Sequence, residues 1–191
     1  MNTDVRQHFS AGLRELATLA EKVADQMGPA LEQAFAMVRE TVRGGGTLFF
    51  CGNGGSAADA QHIATEYVVR YMRERRGYPA IALTTDTSLL TAAANDMGFE
   101  AVFARQVNAL ARPGDLLVIH STSGNSPNVV AAAKAARAKD VRVLALSARD
   151  GGELRGFADH TIVIPTPRTD RAQELHLCIE HLICELVERE L

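Results

Sequence analysis

The sequence predicts an α/β fold, a five-stranded parallel sheet flanked by helices, with two further helices ahead of it. Two observations carry this. From residue 47 onward short apolar runs alternate with helix-like stretches, the pattern of parallel strands buried on both faces. Before residue 44 apolar side chains instead recur every third or fourth position, the stripe of amphipathic helices. The length of 191 residues fits one domain of roughly 150 residues plus a helical extension. Residues 1–191 are therefore expected to form a single domain, with helices over 1–43 and an α/β core over 47–191.

Taken in order, Val5, Phe9, Leu13, Leu16, Leu19, Val23 and Met27 form the first stripe, and Leu31, Phe35, Val38 and Val42 the second. Gly28-Pro29 is expected to separate the two helices, and Gly44-Gly45-Gly46 to stop the second. A helix pair ahead of the sheet cannot cover much of it. The first is expected to pack on another copy of the chain, the alternative being a lid within one molecule. Strands are expected at 47–51, 80–83, 115–119, 141–146 and 160–164. Between them lie helices from Ser56 to about Arg73, Ser88 to Leu110 and Asn128 to Lys139, with a last one from Asp170 to Glu190 after Pro165 and Pro167.

Hydrophobic residues make up 47% and charged residues 23% of the chain, enough to bury a core and unlike a disordered polymer. Twenty Lys+Arg against 23 Asp+Glu leave a net charge of -3, without the basic excess of a dedicated nucleic-acid binder. Met1 to His8 lacks a basic stretch leading into an apolar one, and no apolar run approaches about 18 residues, so no membrane association and a cytoplasmic location are expected. Cys51, Cys178 and Cys184 are odd in number and lack CxxC spacing, and all three read as reduced core residues.

Two loops have the composition of anion sites. Gly52-Asn53-Gly54-Gly55-Ser56 joins the first strand to a helix. Glycines let backbone approach a ligand, a helix N-terminus offers unpaired N–H groups, and the serine adds a hydroxyl. Neither GxGxxG nor GxxxxGK[ST] is matched, so dinucleotide and NTP readings lose their support; a plain tight turn is the alternative. The second loop, Ser121-Thr122-Ser123-Gly124-Asn125-Ser126-Pro127, stands at the end of the third strand, where doubly wound sheets bind ligands. Hydroxyls without lysine suit a phosphosugar that must be released; N-capping is the alternative.

His62 and Glu66, four apart on one helix face, fit either two ligands of one metal or a surface contact. His181 falls in the most apolar stretch of the last helix, where an unpaired imidazole is costly, so it needs a partner. Glu180 and His176 read as solvent or interface residues. The basic segment Arg70 to Arg76 reads as a solvated helix end or a contact to phosphate or an acidic partner, with Arg70 four residues after Glu66.

Together, Gly52 through His62, Ala94-Asn95-Asp96, Ser121 through Asn128 and Asp170 through His176 resemble the sugar isomerase (SIS) family, and within it the phosphoheptose (sedoheptulose 7-phosphate) isomerases, over nearly the whole chain. The resemblance implies the three-layer SIS fold and an aldose–ketose isomerisation through an enediol. It also implies homotetramers with active sites at subunit interfaces, and zinc in some members. Carried onto this sequence, it makes Glu66 and His181 the acid/base pair and gives Ser56, Ser121, Ser123 and Ser126 the phosphate. Asn53, Gly54, Gly55, Asn95, Asp96, Thr122, Asp170 and Gln173 would orient the sugar, and His62, Glu66, Gln173 and His181 would hold the metal. Moving a proton between adjacent carbons calls for a base tuned toward neutrality and a second group for the oxygens. Gln173 and His181 lie eight apart, about 12 Å of helix rise and about 80° of rotation; a site shared between subunits is expected, the alternative being long side chains that converge within one chain. A second SIS group, the DiaA-type adaptors that bind the replication initiator DnaA, is the alternative, with a sugar-phosphate sensor or an isomerase of another sugar phosphate behind it. The full set of Glu66, His181 and serine loop favours the enzyme.

Overall fold

The structure, a computed structural model, describes residues 4–191. Two helices come first, α1 (Val5–Gln26) and α2 (Gly28–Arg43). The Asp4 carboxylate caps α1 by accepting from the backbone N–H of Gln7 at 3.1 Å. The break between them is Met27 alone, not Gly28-Pro29. Gly28 opens α2 and Pro29 lies in its first turn, where a missing N–H costs nothing.

Strands β1 (Leu48–Gly52), β2 (Ala80–Ala82), β3 (Leu116–Ser121), β4 (Arg142–Ala148) and β5 (His160–Ile164) form one parallel sheet in the order β2-β1-β3-β4-β5. Helices α3 (Gly55–Val68), α4 (Thr87–Met97), α5 (Val102–Leu110), α6 (Pro127–Arg137) and α7 (Thr169–Glu190) connect and follow the strands. Alternate strand residues face opposite layers. Leu48, Phe50, Val118 and Leu146 pack with α2, α3 and α7, whereas Phe49, Cys51, Ile119 and Ala145 pack with α5 and α6. Cys184 joins the first layer; Cys178, expected in the core, is exposed.

Two helices end sooner than the sequence predicts. The stretch expected from Ser88 to Leu110 is divided at Gly98, whose φ of 88° lies in the left-handed region. The α3 helix stops at Val68, short of Arg73, because the following backbone is captured by Glu188. The segment after it is therefore no solvated helix end. Arg70 is exposed and loosely paired with Glu74 at 3.9 Å, but Arg75 is turned inward onto Glu188 at 2.8 Å.

Only the C-terminal part of α1 packs down. Val5, Phe9 and Leu13 are 64%, 66% and 68% exposed, while Glu15 tethers the helix to Arg168 at 2.8 Å and Arg171 at 3.3 Å. Among the described residues no helix is long and apolar enough to cross a membrane. The strand order reverses direction between β1 and β3, so the loops leaving their carboxyl ends diverge to opposite faces and leave a crevice.

Candidate active site

The crevice holds a cradle built largely from backbone. At Gly52 an added Cβ would lie 2.7 Å from the Ser56 carbonyl and 2.9 Å from that of His120, so only glycine lets β1 and β3 approach this closely. Asn53 and Asn128 tie the two loops by exchanging hydrogen bonds of 2.8 Å in both directions. The serine loop is braced from behind. A Cβ on Gly124 would meet the Gly151 carbonyl at 1.9 Å, Asn125 Oδ1 accepts from the Glu153 N–H at 2.9 Å, and the Gly124 carbonyl accepts from Leu154 at 2.9 Å.

The resulting cleft has a volume of 330 Å³. Asn53, Gly54, Gly55 and Ser56 line one side, and Ser121, Thr122, Ser123 and Ser126 the other. Gln173 and Thr169 of α7 close it, with Gln173 Nε2 donating to Ser56 Oγ at 3.3 Å. Among the described residues no lysine or arginine lines it. The N-termini of α3 and α6 both open here, giving the cradle neutral donors of the kind that can hold an anion. A larger hollow of 570 Å³ surrounds Gly44 to Gly46, Arg112 and Arg142, but at the amino ends of the strands, away from these loops.

Further along the seam between α3 and α7 stand His62, Glu66 and His181. His62 Nε2 is 2.9 Å from His181 Nε2 and 3.4 Å from Glu66 Oε1, and one donor atom from each residue falls within 4.8 Å of the others. His181 thus has the partner its surroundings demand. Burial, and then the neighbouring His62, hold its pKa below the ordinary histidine value. Glu66 is shielded, with 17% of its side chain exposed. Two imidazole nitrogens and a carboxylate oxygen converging on one point form a group that can hold a metal ion, with donors of the type zinc takes.

The other residues singled out in the sequence divide between the cradle and the surface. Gln173 lines the cradle through its bond to Ser56. Asn95 and Asp96 are exposed on α4, Asn95 Nδ2 donating to Asp96 Oδ1 at 2.8 Å. Asp170 is exposed as well. The hydrogen bond from Arg168 lowers its pKa to about 2. None of the last three lines the cleft within this chain.

The floor beneath the cleft overturns one expectation. Glu180 and His176, read as solvent or interface residues, are buried. His120 Nε2 and Glu180 Oε2 are 2.7 Å apart. Burial pushes the His120 imidazole down, but the charge and hydrogen bond of Glu180, together with Asp59, outweigh it and raise its pKa. His176 Nε2 donates to the Ser147 carbonyl at 3.0 Å, and burial lowers its pKa to about 4. A signal existed: Ala172, His176, Ile179 and Ile183 share one α7 stripe, and Glu180 adjoins it.

Residues 13–148 match the SIS domain family, and the five-stranded parallel sheet with its serine-lined crevice is the architecture of a SIS-domain protein. The phosphoheptose isomerase of Aliarcobacter butzleri (strain RM4018) is 51% identical over 170 residues, 89% of this chain and 90% of that one. The structure of phosphoheptose isomerase GmhA from Neisseria gonorrhoeae superimposes with a TM-score of 0.91 at 41% identity, covering 97% of this chain and 99% of the other. That of a phosphoheptose isomerase from Francisella tularensis gives 0.94 at 30% identity, covering 98% and 100%. The chain belongs to the phosphoheptose isomerase family.

Proposed function

We propose that this chain is an aldose–ketose isomerase converting sedoheptulose 7-phosphate to D-glycero-D-manno-heptose 7-phosphate, a precursor step for heptose-containing lipopolysaccharide. One observation carries the reading: a proton-transfer cluster and a neutral phosphate cradle share the seam of α3 and α7. His62 lies six residues beyond Ser56, about 9 Å of helix rise. That span suits an open-chain sugar held by its phosphate. With the phosphate on Ser56, Ser121, Ser123 and Ser126, Glu66 takes a proton from C1 and returns it to C2. His181 carries the hydroxyl proton from O1 to O2, so the enediol forms and collapses without net gain or loss of atoms. His62, Glu66 and His181 would hold zinc, with Gln173 as the fourth ligand the family resemblance implies, and the ion would supply polarisation of the carbonyl.

The active assembly is a cytoplasmic homotetramer in the same proposal. The exposed stripe of Val5, Phe9 and Leu13 and the separation of Asn95, Asp96 and Asp170 from the cleft support sites completed by a neighbouring copy. Incubation with sedoheptulose 7-phosphate in D2O, with and without chelator, tests the reading. Conversion with deuterium entering at the carbon next to the carbonyl is expected, and slower turnover after chelation. A folded tetramer showing neither conversion nor exchange would overturn the enzyme and favour the DnaA-binding adaptor.

A further inference from the structure

The turn that follows α3 is tied to the end of α7 by a buried knot. The Glu188 side chain, 1% exposed, accepts from three successive backbone N–H groups, Tyr71 at 2.8 Å, Met72 at 2.8 Å and Arg73 at 3.0 Å, and from Arg75 Nε at 2.8 Å. The other side of the Arg75 guanidinium grips α3: Nη1 donates to the Tyr67 carbonyl at 2.9 Å and Nη2 to the Glu66 carbonyl at 2.6 Å. Its face lies 4.2 Å from the centre of the Tyr78 ring. Consecutive amides bent round one anion make a nest, and the forked cation satisfies carbonyls that a helix end leaves unpaired.

This knot fixes a residue of the site. The Tyr71 ring lies on the His181 imidazole with centroids 5.2 Å apart and planes 7° apart, while His62 meets the same imidazole nearly edge-on at 83°. The last torsion of a histidine side chain is broad and roughly two-fold, so the flat Tyr71 ring, together with the 2.9 Å contact to His62, selects one ring plane.

We propose that Tyr71 is a positioning residue for His181, and that Glu188 and Arg75 hold both Tyr71 and the Glu66 turn in place from outside the cleft. The geometric claim stands by itself; its consequence for turnover rests on the isomerase reading above.

The test uses full-length protein labelled with 13C at the histidine rings. A stacked tyrosine displaces the His181 ring C–H resonance upfield, and loss of that resonance in His181→Gln identifies it. Tyr71→Ala and Glu188→Gln should both return it to the ordinary position, while Tyr71→Phe keeps the displacement. Arg75→Lys, which retains charge but loses the two-sided grip, should act like Glu188→Gln and serves if that variant fails to fold. With sedoheptulose 7-phosphate, kcat should fall roughly ten- to a hundredfold in the disrupted variants with KM within about twofold, and Tyr71→Phe should restore it. An unmoved resonance in folded Glu188→Gln and Arg75→Lys overturns the knot's role. A moved resonance with unchanged kcat overturns its bearing on turnover. A wild-type protein without turnover condemns the isomerase reading instead, and the resonance alone then decides the positioning.

Discussion

The cradle and the cluster, both set on the α3–α7 seam, are constructed differently. The cradle is made of two contiguous loops whose shape is set by glycine contacts and by the Asn53–Asn128 pair, and it offers several equivalent donors. The cluster is three side chains on two helices, 119 residues separating His62 from His181, and its single carboxylate, on Glu66, has no duplicate beside it. Binding should therefore be distributed and tolerant of single losses, whereas chemistry should be concentrated and fragile.

The sharpest way to break that contrast is Glu66→Gln, which keeps shape and removes the base. Loss of a positioned base costs about 10³-fold, or about 4 kcal/mol, and here it should fall on kcat with KM nearly unchanged. Steady-state kinetics together with deuterium exchange measure it. A loss below tenfold would place the base elsewhere and remove the distinction between cradle and cluster.

The buried floor beneath the cradle gives a smaller, pH-dependent effect. His176 has a folded pKa of about 4 against an ordinary value of 6.5, so the unfolded chain binds the proton first. Its contribution is intact above pH 6.5 and is lost as pH falls toward 4, on the order of 3 kcal/mol in total. His120 has the opposite sign. Its raised pKa gives stability that is present below the ordinary histidine value and is lost as pH rises through the folded one. Urea unfolding from pH 7 to 4.5 should show a smaller acid loss in His176→Gln than in wild type. Equal slopes would mean that His176 is not buried neutral.

The same division explains what could be read from the sequence. Strands such as 116–121 announce themselves as apolar runs, and the cradle loops are unbroken strings of glycine and hydroxyl residues, so both were legible locally. The end of α3 was not, because it is decided by Glu188, 117 residues beyond Tyr71. Nor was the His120–Glu180 pair, whose members are unremarkable until β3 and α7 are packed together. The His62/Glu66 spacing alone fits a surface contact or a metal site, and the third donor, His181, comes from a helix 119 residues further on. Asn95, Asp96 and Asp170 entered through family resemblance, and nothing within one chain brings them to the cleft.

Ser126→Ala probes the tolerant cradle with the smallest expected change. Ser126 occupies the N-cap of α6, yet its side chain makes no capping hydrogen bond, and Pro127 already presets the first turn. Its removal therefore leaves the helix nearly as stable, and what changes is one neutral donor to phosphate. Such a bond contributes about 1 kcal/mol, so KM should rise about fivefold with kcat unchanged. If kcat falls instead while KM holds, the phosphate grip strengthens in the transition state, and the cradle would share in the chemistry assigned to Glu66 and His181.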